Sequence, residues 1–166
     1  QAKRVGVIYN PGEINSVLMV EEMKSYASVH DMEIVESVAI KTSEASTAMQ
    51  NLVGKVDLVY IPNDNTAIAA MKSIALVAEK NKIPLFAADM GAVKNGALAA
   101  LGYDRKDLGR KAGLMVVEIL KGKSPRDIPI SQDHKIKLYV NRERASQAGI
   151  DFHAAGLPPL EYMDSK

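Results

Sequence analysis

One unit repeats along the first half of this chain and restricts the folds open to it. A short β-branched or apolar run is stopped by a polar turn and is followed by residues at helical spacing. Val5–Tyr9 is ended by Asn10-Pro11-Gly12, and residues 15–29 then carry Val17, Leu18, Val20, Met23, Tyr26 and Ala27, roughly the i, i+3, i+4 pattern of a half-buried helix. Residues 32–40 read as a strand and 43–53 as a helix; Leu58–Ile61 reads as a strand closed by Pro62-Asn63-Asp64-Asn65, with a helix over 66–80. Residues 84–88 give a further strand, ended at Asp89. Parallel neighbours need crossover segments, and crossovers are right-handed. The alternation therefore predicts an α/β fold, a doubly wound parallel sheet with helices on both faces.

The remainder is less regular. Residues 96–103 are small and apolar, 107–120 read as a helix, and 128–130 and 137–141 read as short strands. The helix over 107–120 carries a wide stripe of Leu108, Ala112, Met115, Val116, Ile119 and Leu120, and Gly122 ends it as a C′ glycine. From Asp151 onward, with Gly156 and Pro158-Pro159, no periodicity is visible, and the tail reads as an extended or mobile arm. A length of 166 residues with 47% hydrophobic and 25% charged residues suits one well-buried core.

Several chemistries are disfavoured. A net charge of +1 gives no basic footprint for nucleic acid. The absence of cysteine removes disulfides, thiolate metal sites and thiol nucleophiles. No apolar run approaches the roughly 20 residues that span a bilayer. Neither G-x-G-x-x-G nor a P-loop pattern occurs, and no two-histidine metal spacing occurs. The three histidines, His30, His134 and His153, fall at a helix end, before a late strand and in the tail, away from the strand ends. No cofactor is expected, and the eight methionines suit core filling.

In such sheets ligands sit outside the carboxyl ends of the strands, so the loops after Tyr9, Ile61 and Ala88 should share one rim. The first carries Asn10, Glu13, Asn15 and Ser16 at the start of a helix, where unpaired N–H groups and the dipole suit an anion. Capping alone would account for Asn15 or Ser16, but Glu13 needs more. The second carries Asp64 and Asn65, which capping also explains singly. In the third, Asp89 stands alone among small residues, placed to hold an ammonium group or simply to face solvent. Acids and amides at all three strand ends are harder to dismiss than any one.

These motifs resemble a known family, the ABC transporter substrate-binding proteins of the type that includes bacterial binders of tryptophan and other aromatic amino acids. The likeness rests on residues 2–16 with Tyr9-Asn10-Pro11-Gly12-Glu13, on 56–65 ending in Asp64-Asn65, on 83–89, and on 96–102 with Asp107-Leu108-Gly109-Arg110 and 119–122. It runs from about Ala2 to Ile150.

The resemblance implies the second lobe of a two-lobed, type I periplasmic-binding fold that closes on its ligand like a hinge, with most of the first lobe lacking. Residues 1–95 would form the second lobe, 96–130 would return to the first lobe, 131–150 would return to the second, and 151–166 would be a tail. Asp89 would meet a ligand ammonium, with Asn10, Glu13, Asn15, Ser16, Asp64 and Asn65 supplying hydrogen bonds. The implied partners are a small polar ligand, an amino acid, and an ABC permease. The implied location is periplasmic or cell-surface, with any signal segment outside this chain. The competing reading is the effector-sensing domain of a LacI-like transcription regulator; a small enzyme ranks last for want of a catalytic constellation. The stripe on helix 107–120 should be covered by the second-lobe core, by a first-lobe segment or by another copy of the chain, because wet apolar surface costs about 25 cal/mol per Å².

Overall fold

A computed structural model of the chain describes residues 2–131, 134–153 and 157–164. Seven strands form one sheet: β1 (Arg4–Tyr9), β2 (Glu33–Val38), β3 (Leu58–Ile61), β4 (Leu85–Ala87), β5 (Ala99–Tyr103), β6 (Ile136–Asn141) and β7 (Leu160–Met163), in spatial order β2-β1-β3-β4-β5-β6-β7. Pairing is parallel throughout except between β5 and β6, where Leu101 faces Leu138 and Tyr103 faces Ile136 in an antiparallel register.

The crossovers are α1 (Ile14–Ser28), α2 (Ala45–Leu52) after a 3₁₀ turn at Thr42–Glu44, α3 (Asn65–Ala69) with α4 (Met71–Lys80), and α5 (Met90–Lys94). From β1 the chain moves outward to β2 and then back across β1 to β3. Right-handed crossovers in opposite directions put α1 on one face and α2, α4 and α5 on the other. The side chains agree. A Cβ on Gly6 would meet Leu52 Cδ1 at 2.9 Å and Val59 at 3.0 Å, so α2 lies directly on β1 and a glycine is needed there. Ile8, Met49, Leu52, Val59, Ile61, Met71, Ile74 and Val93 share this main core. Each fully buried aliphatic side chain in it contributes about 1.5–3 kcal/mol. Alternate residues of β5 and β6, Ala99, Leu138 and Val140, face the opposite side and pack with Ala145 of α7 (Arg142–Ala148).

Several details depart from the sequence reading. The helix expected over 66–80 is broken at Ala70 (φ −93°, ψ 6°) into α3 and α4. Residues 99–103 form a central strand, and 90–94 form a helix that the sequence reading lacked. Residues 128–130 are not a strand, and Ile130 is 87% exposed. In the tail, Leu160–Met163 is β7, a parallel strand on β6, whose Leu138 N–H donates to Pro159 O at 2.9 Å.

The largest correction concerns α6 (Arg105–Leu120). Packing of its stripe against the core of this sheet is not found: α6 has no buried residue, Leu108 and Met115 are only half-buried, and Val116, Ile119 and Leu120 are 40% to 80% exposed. The reason is occupancy, since α5 covers one face of β5 and α7 the other. Its end is as expected: Gly122 has φ +97°, and Gly122 and Lys123 N–H groups return to Ile119 and Glu118 carbonyls at 2.9 and 3.1 Å. No helix among the described residues is long and apolar enough to cross a membrane.

Candidate functional site

Strand order reverses between β1 and β3, and in open α/β sheets that reversal opens a crevice at the carboxyl ends. The loops after β1 and β3 flank it, and they are bound to each other by side chains. The turn Asn10–Glu13 is closed by the Glu13 N–H donating to Asn10 O at 3.0 Å, and Gly12 N–H donates to Asn10 Oδ1 at 2.9 Å. From that turn the Glu13 carboxylate reaches across to the start of α3. It accepts from Asn65 N–H at 2.9 Å, Asn65 Nδ2 at 2.7 Å, Thr66 N–H at 3.1 Å and Thr66 Oγ1 at 3.2 Å. Glu13 therefore caps a helix 52 residues away in sequence. The Asn65 N–H above all, with Thr66, holds the Glu13 carboxyl below the usual glutamate range.

Asp64 returns the connection. It is fully buried, its Oδ1 accepts from Ala67 N–H at 2.8 Å as the N-cap of α3, and its Oδ2 accepts from Asn10 N–H at 2.7 Å. Asn10 Nδ2 donates to Thr66 Oγ1 at 3.0 Å, and Asn15 Nδ2 donates to Asn63 O at 2.6 Å. Asn10, Glu13, Asn15, Asp64 and Asn65 thus form one web. Ser16 lies within the first turn of α1, 1% exposed, and its Oγ has no hydrogen-bond partner among the described residues.

Asp89 stands apart from that web on the next strand. The register pairs Ile61 with Ala87, so Asp89 stands as far past β4 as Asn63 does past β3. Its Oδ1 accepts from Gly91 N–H at 2.6 Å, capping α5, and its Oδ2 accepts from Arg105 Nη2. The rim expected from the sequence is therefore built from adjacent, co-directional strands.

Two participants were missed by sequence reasoning. Thr66 ties Asn10 to Glu13 but reads as an ordinary capping residue in sequence. Arg105 could have been flagged, because a cation in a helix's first turn opposes the dipole. One exclusion also needs correcting: His134 packs edge-on against Tyr103 at 5.4 Å between ring centroids, at the carboxyl end of β5 and hence on the rim edge. His134 makes no nucleophile pair there. No cluster of three or more metal-ligating side chains occurs among the described residues. The larger hollows, about 650 Å³ between α4 and α7 and about 670 Å³ between α1 and β2, lie away from this rim.

The family model for the ABC transporter substrate binding protein matches residues 1–155. The chain belongs to the ABC transporter substrate-binding proteins. Among curated relatives of this substrate-binding chain, a tyrosine-binding protein of Clostridioides difficile is 37% identical over 165 residues, covering 99% of this chain and 47% of that protein. A substrate binding protein with adhesive properties from Clostridium difficile, solved in its ligand-free, open form, superposes with a TM-score of 0.80 at 36% identity, over 100% of this chain and 56% of that one. A Streptococcus pneumonia ABC domain in complex with L-Trp superposes with a TM-score of 0.83 at 27% identity, over 98% of this chain and 55% of that one. This substrate-binding chain spans about half the length of the curated relatives it matches, 47% and 46%.

Proposed function

We propose that this chain supplies one lobe of an extracytoplasmic binding protein that delivers an amino acid, most consistently an aromatic one, to an ABC permease. The observation that carries the reading is the rim. Three adjacent strand ends bear Asn10, Glu13, Asn15, Ser16, Asp64, Asn65 and Asp89, with Asp89 beside the β1/β3 web. Support for the ligand class comes from the tyrosine-binding relative and from the neighbour bound to L-Trp.

In this reading six of the seven residues divide the work, since Ser16 is 1% exposed within α1 and reaches no ligand. Asp64, enclosed and doubly engaged, positions the loops. Glu13 and Asn10 hold the rim rigid. Asn15, Asn65 and Asp89 present polar atoms to the ligand, with Asp89 on its ammonium. Residues 1–95 form the second lobe, 96–130 begin in this sheet as β5 and leave it as α6 towards a first lobe, 131–150 return, and 151–166 add β7. The apolar face of α6 is then covered by a first-lobe segment or by another copy of the chain. Closure of two lobes over the ligand creates the shape a permease reads, with no bond made or broken by this chain.

The test is calorimetric titration of L-tyrosine and L-tryptophan into the full-length protein that carries this sequence, with a sugar as control. Saturable binding of either amino acid is expected. Binding of the sugar alone, or of none of the three, would sink the reading.

A further inference from the structure

Arg105 occupies a position that neither its helix nor the core accounts for. It is the first residue of the sixteen-residue helix α6, at the positive end of the dipole, where a cation is disfavoured. Asp104 already caps that helix, accepting from Lys106 N–H at 3.0 Å and Asp107 N–H at 3.3 Å. The Arg105 side chain is 66% exposed, so packing does not hold it either. Its partner is Asp89, a rim carboxylate only 25% exposed, whose other oxygen is fixed by Gly91 N–H.

We propose that Arg105 is a ligand-binding residue that takes the carboxylate of an amino acid while Asp89 takes its ammonium, the two opening to admit the zwitterion between them. This rests on the amino-acid reading above. Ion pairs this exposed are weak in water, so the pair opens at little cost. The planar guanidinium fork matches a carboxylate, and Asp89 Oδ2 is freed for an ammonium as Arg105 turns away. A ligand with both charges exchanges one ion pair for two. A bare amine strips Arg105 of its partner, and a bare carboxylate must displace Asp89. Because Arg105 opens α6, ligand charge would be sensed at the stem of the segment that leaves this lobe.

The experiment compares Arg105→Gln and Arg105→Lys with wild type in the full-length protein. Calorimetry measures L-tyrosine against tyramine, and L-tryptophan against tryptamine. Arg105→Gln should weaken the amino acids roughly ten- to hundredfold. It should leave the amines equal or tighter, because Asp89 is released, and Arg105→Lys should fall between. Unchanged melting temperatures would show that folding is intact. Parallel loss of amino acid and amine, or no change in either, overturns the proposal. A wild type that binds none of the four overturns the amino-acid reading itself, and this inference with it.

Discussion

Asp64 offers the sharpest test of how the rim is built. Its two oxygens serve two different elements: Oδ1 caps α3 through Ala67 N–H and Oδ2 holds the Asn10 N–H at the end of β1. Asp64 and Ala67 are fully buried and Asn10 is half-buried, so water reaches these donors poorly when the carboxylate is removed. Losing the cap costs about 1 kcal/mol and leaving the second donor unsatisfied costs about 1–3 kcal/mol, so Asp64→Ala should destabilise by roughly 2–4 kcal/mol. Asp64→Asn keeps one acceptor oxygen and can serve only one of the two donors. It should cost about half as much, and it cannot match wild type. Urea unfolding followed by circular dichroism reads this directly as a shift in midpoint at constant slope. If Asp64→Ala stayed within 0.5 kcal/mol of wild type, about the size of a surface change, or if Asp64→Asn cost nothing, then the web would not be holding the loops together.

Other perturbations separate the core, the surface and the electrostatics. Ile74→Ala, at a fully buried position on α4, should cost about 2–5 kcal/mol in the same assay. Leu114→Gln with Val117→Gln, on the open face of α6, should change the unfolding free energy of the chain by no more than about 0.5 kcal/mol each, while sharply reducing any association seen by ultracentrifugation. Asp57 accepts from the backbone N–H groups of Arg4 and Lys3, each at 2.8 Å, and from the Arg4 side chain, which together hold its carboxyl down to about 2. Its folded pKa lies below its unfolded one, so its contribution is complete above about pH 4 and is lost as pH falls towards 2. Acid titration of stability should therefore flatten in that window in Asp57→Asn. Gly149 ends α7 at φ +63°, so Gly149→Ala should lower stability by about 1 kcal/mol in thermal melts.

What could be seen in the sequence follows from the range of the forces involved. β1, β3 and β4 were legible because a buried parallel strand must be apolar and must stop at a polar turn. Residues 99–103, Ala-Ala-Leu-Gly-Tyr, were not, because small residues there answer a tertiary demand: a Cβ on Gly102 would come within 3.2 Å of the Ala88 carbonyl. The break at Ala70 carries no glycine or proline to announce it. β7 follows Pro158-Pro159, a pair that normally marks loops, and becomes a strand only because β6 has a free edge. Within the rim, the strand-end loops were placed correctly, yet the work of Glu13 was invisible, since its partners lie 52 and 53 residues away. Arg105 is legible in principle, as a charge at the wrong end of a helix, but the sequence pattern starts that helix at Asp107, two residues late.

The cross-bracing of the two loops has a bearing on affinity. Flexible loops that order around a small molecule charge that ordering against the binding free energy, commonly about 0.5–1.5 kcal/mol for each side chain immobilised. Here Glu13 and Asp64 have already frozen Asn10, Asn65 and Thr66 in one arrangement through contacts made at folding. In the binding protein proposed above, the entropy of these loops is spent before any solute arrives. In the two-lobed protein proposed above, what is left to lose on capture would be the motion of one lobe relative to the other, and affinity would then be tuned by the hinge without rebuilding these loops.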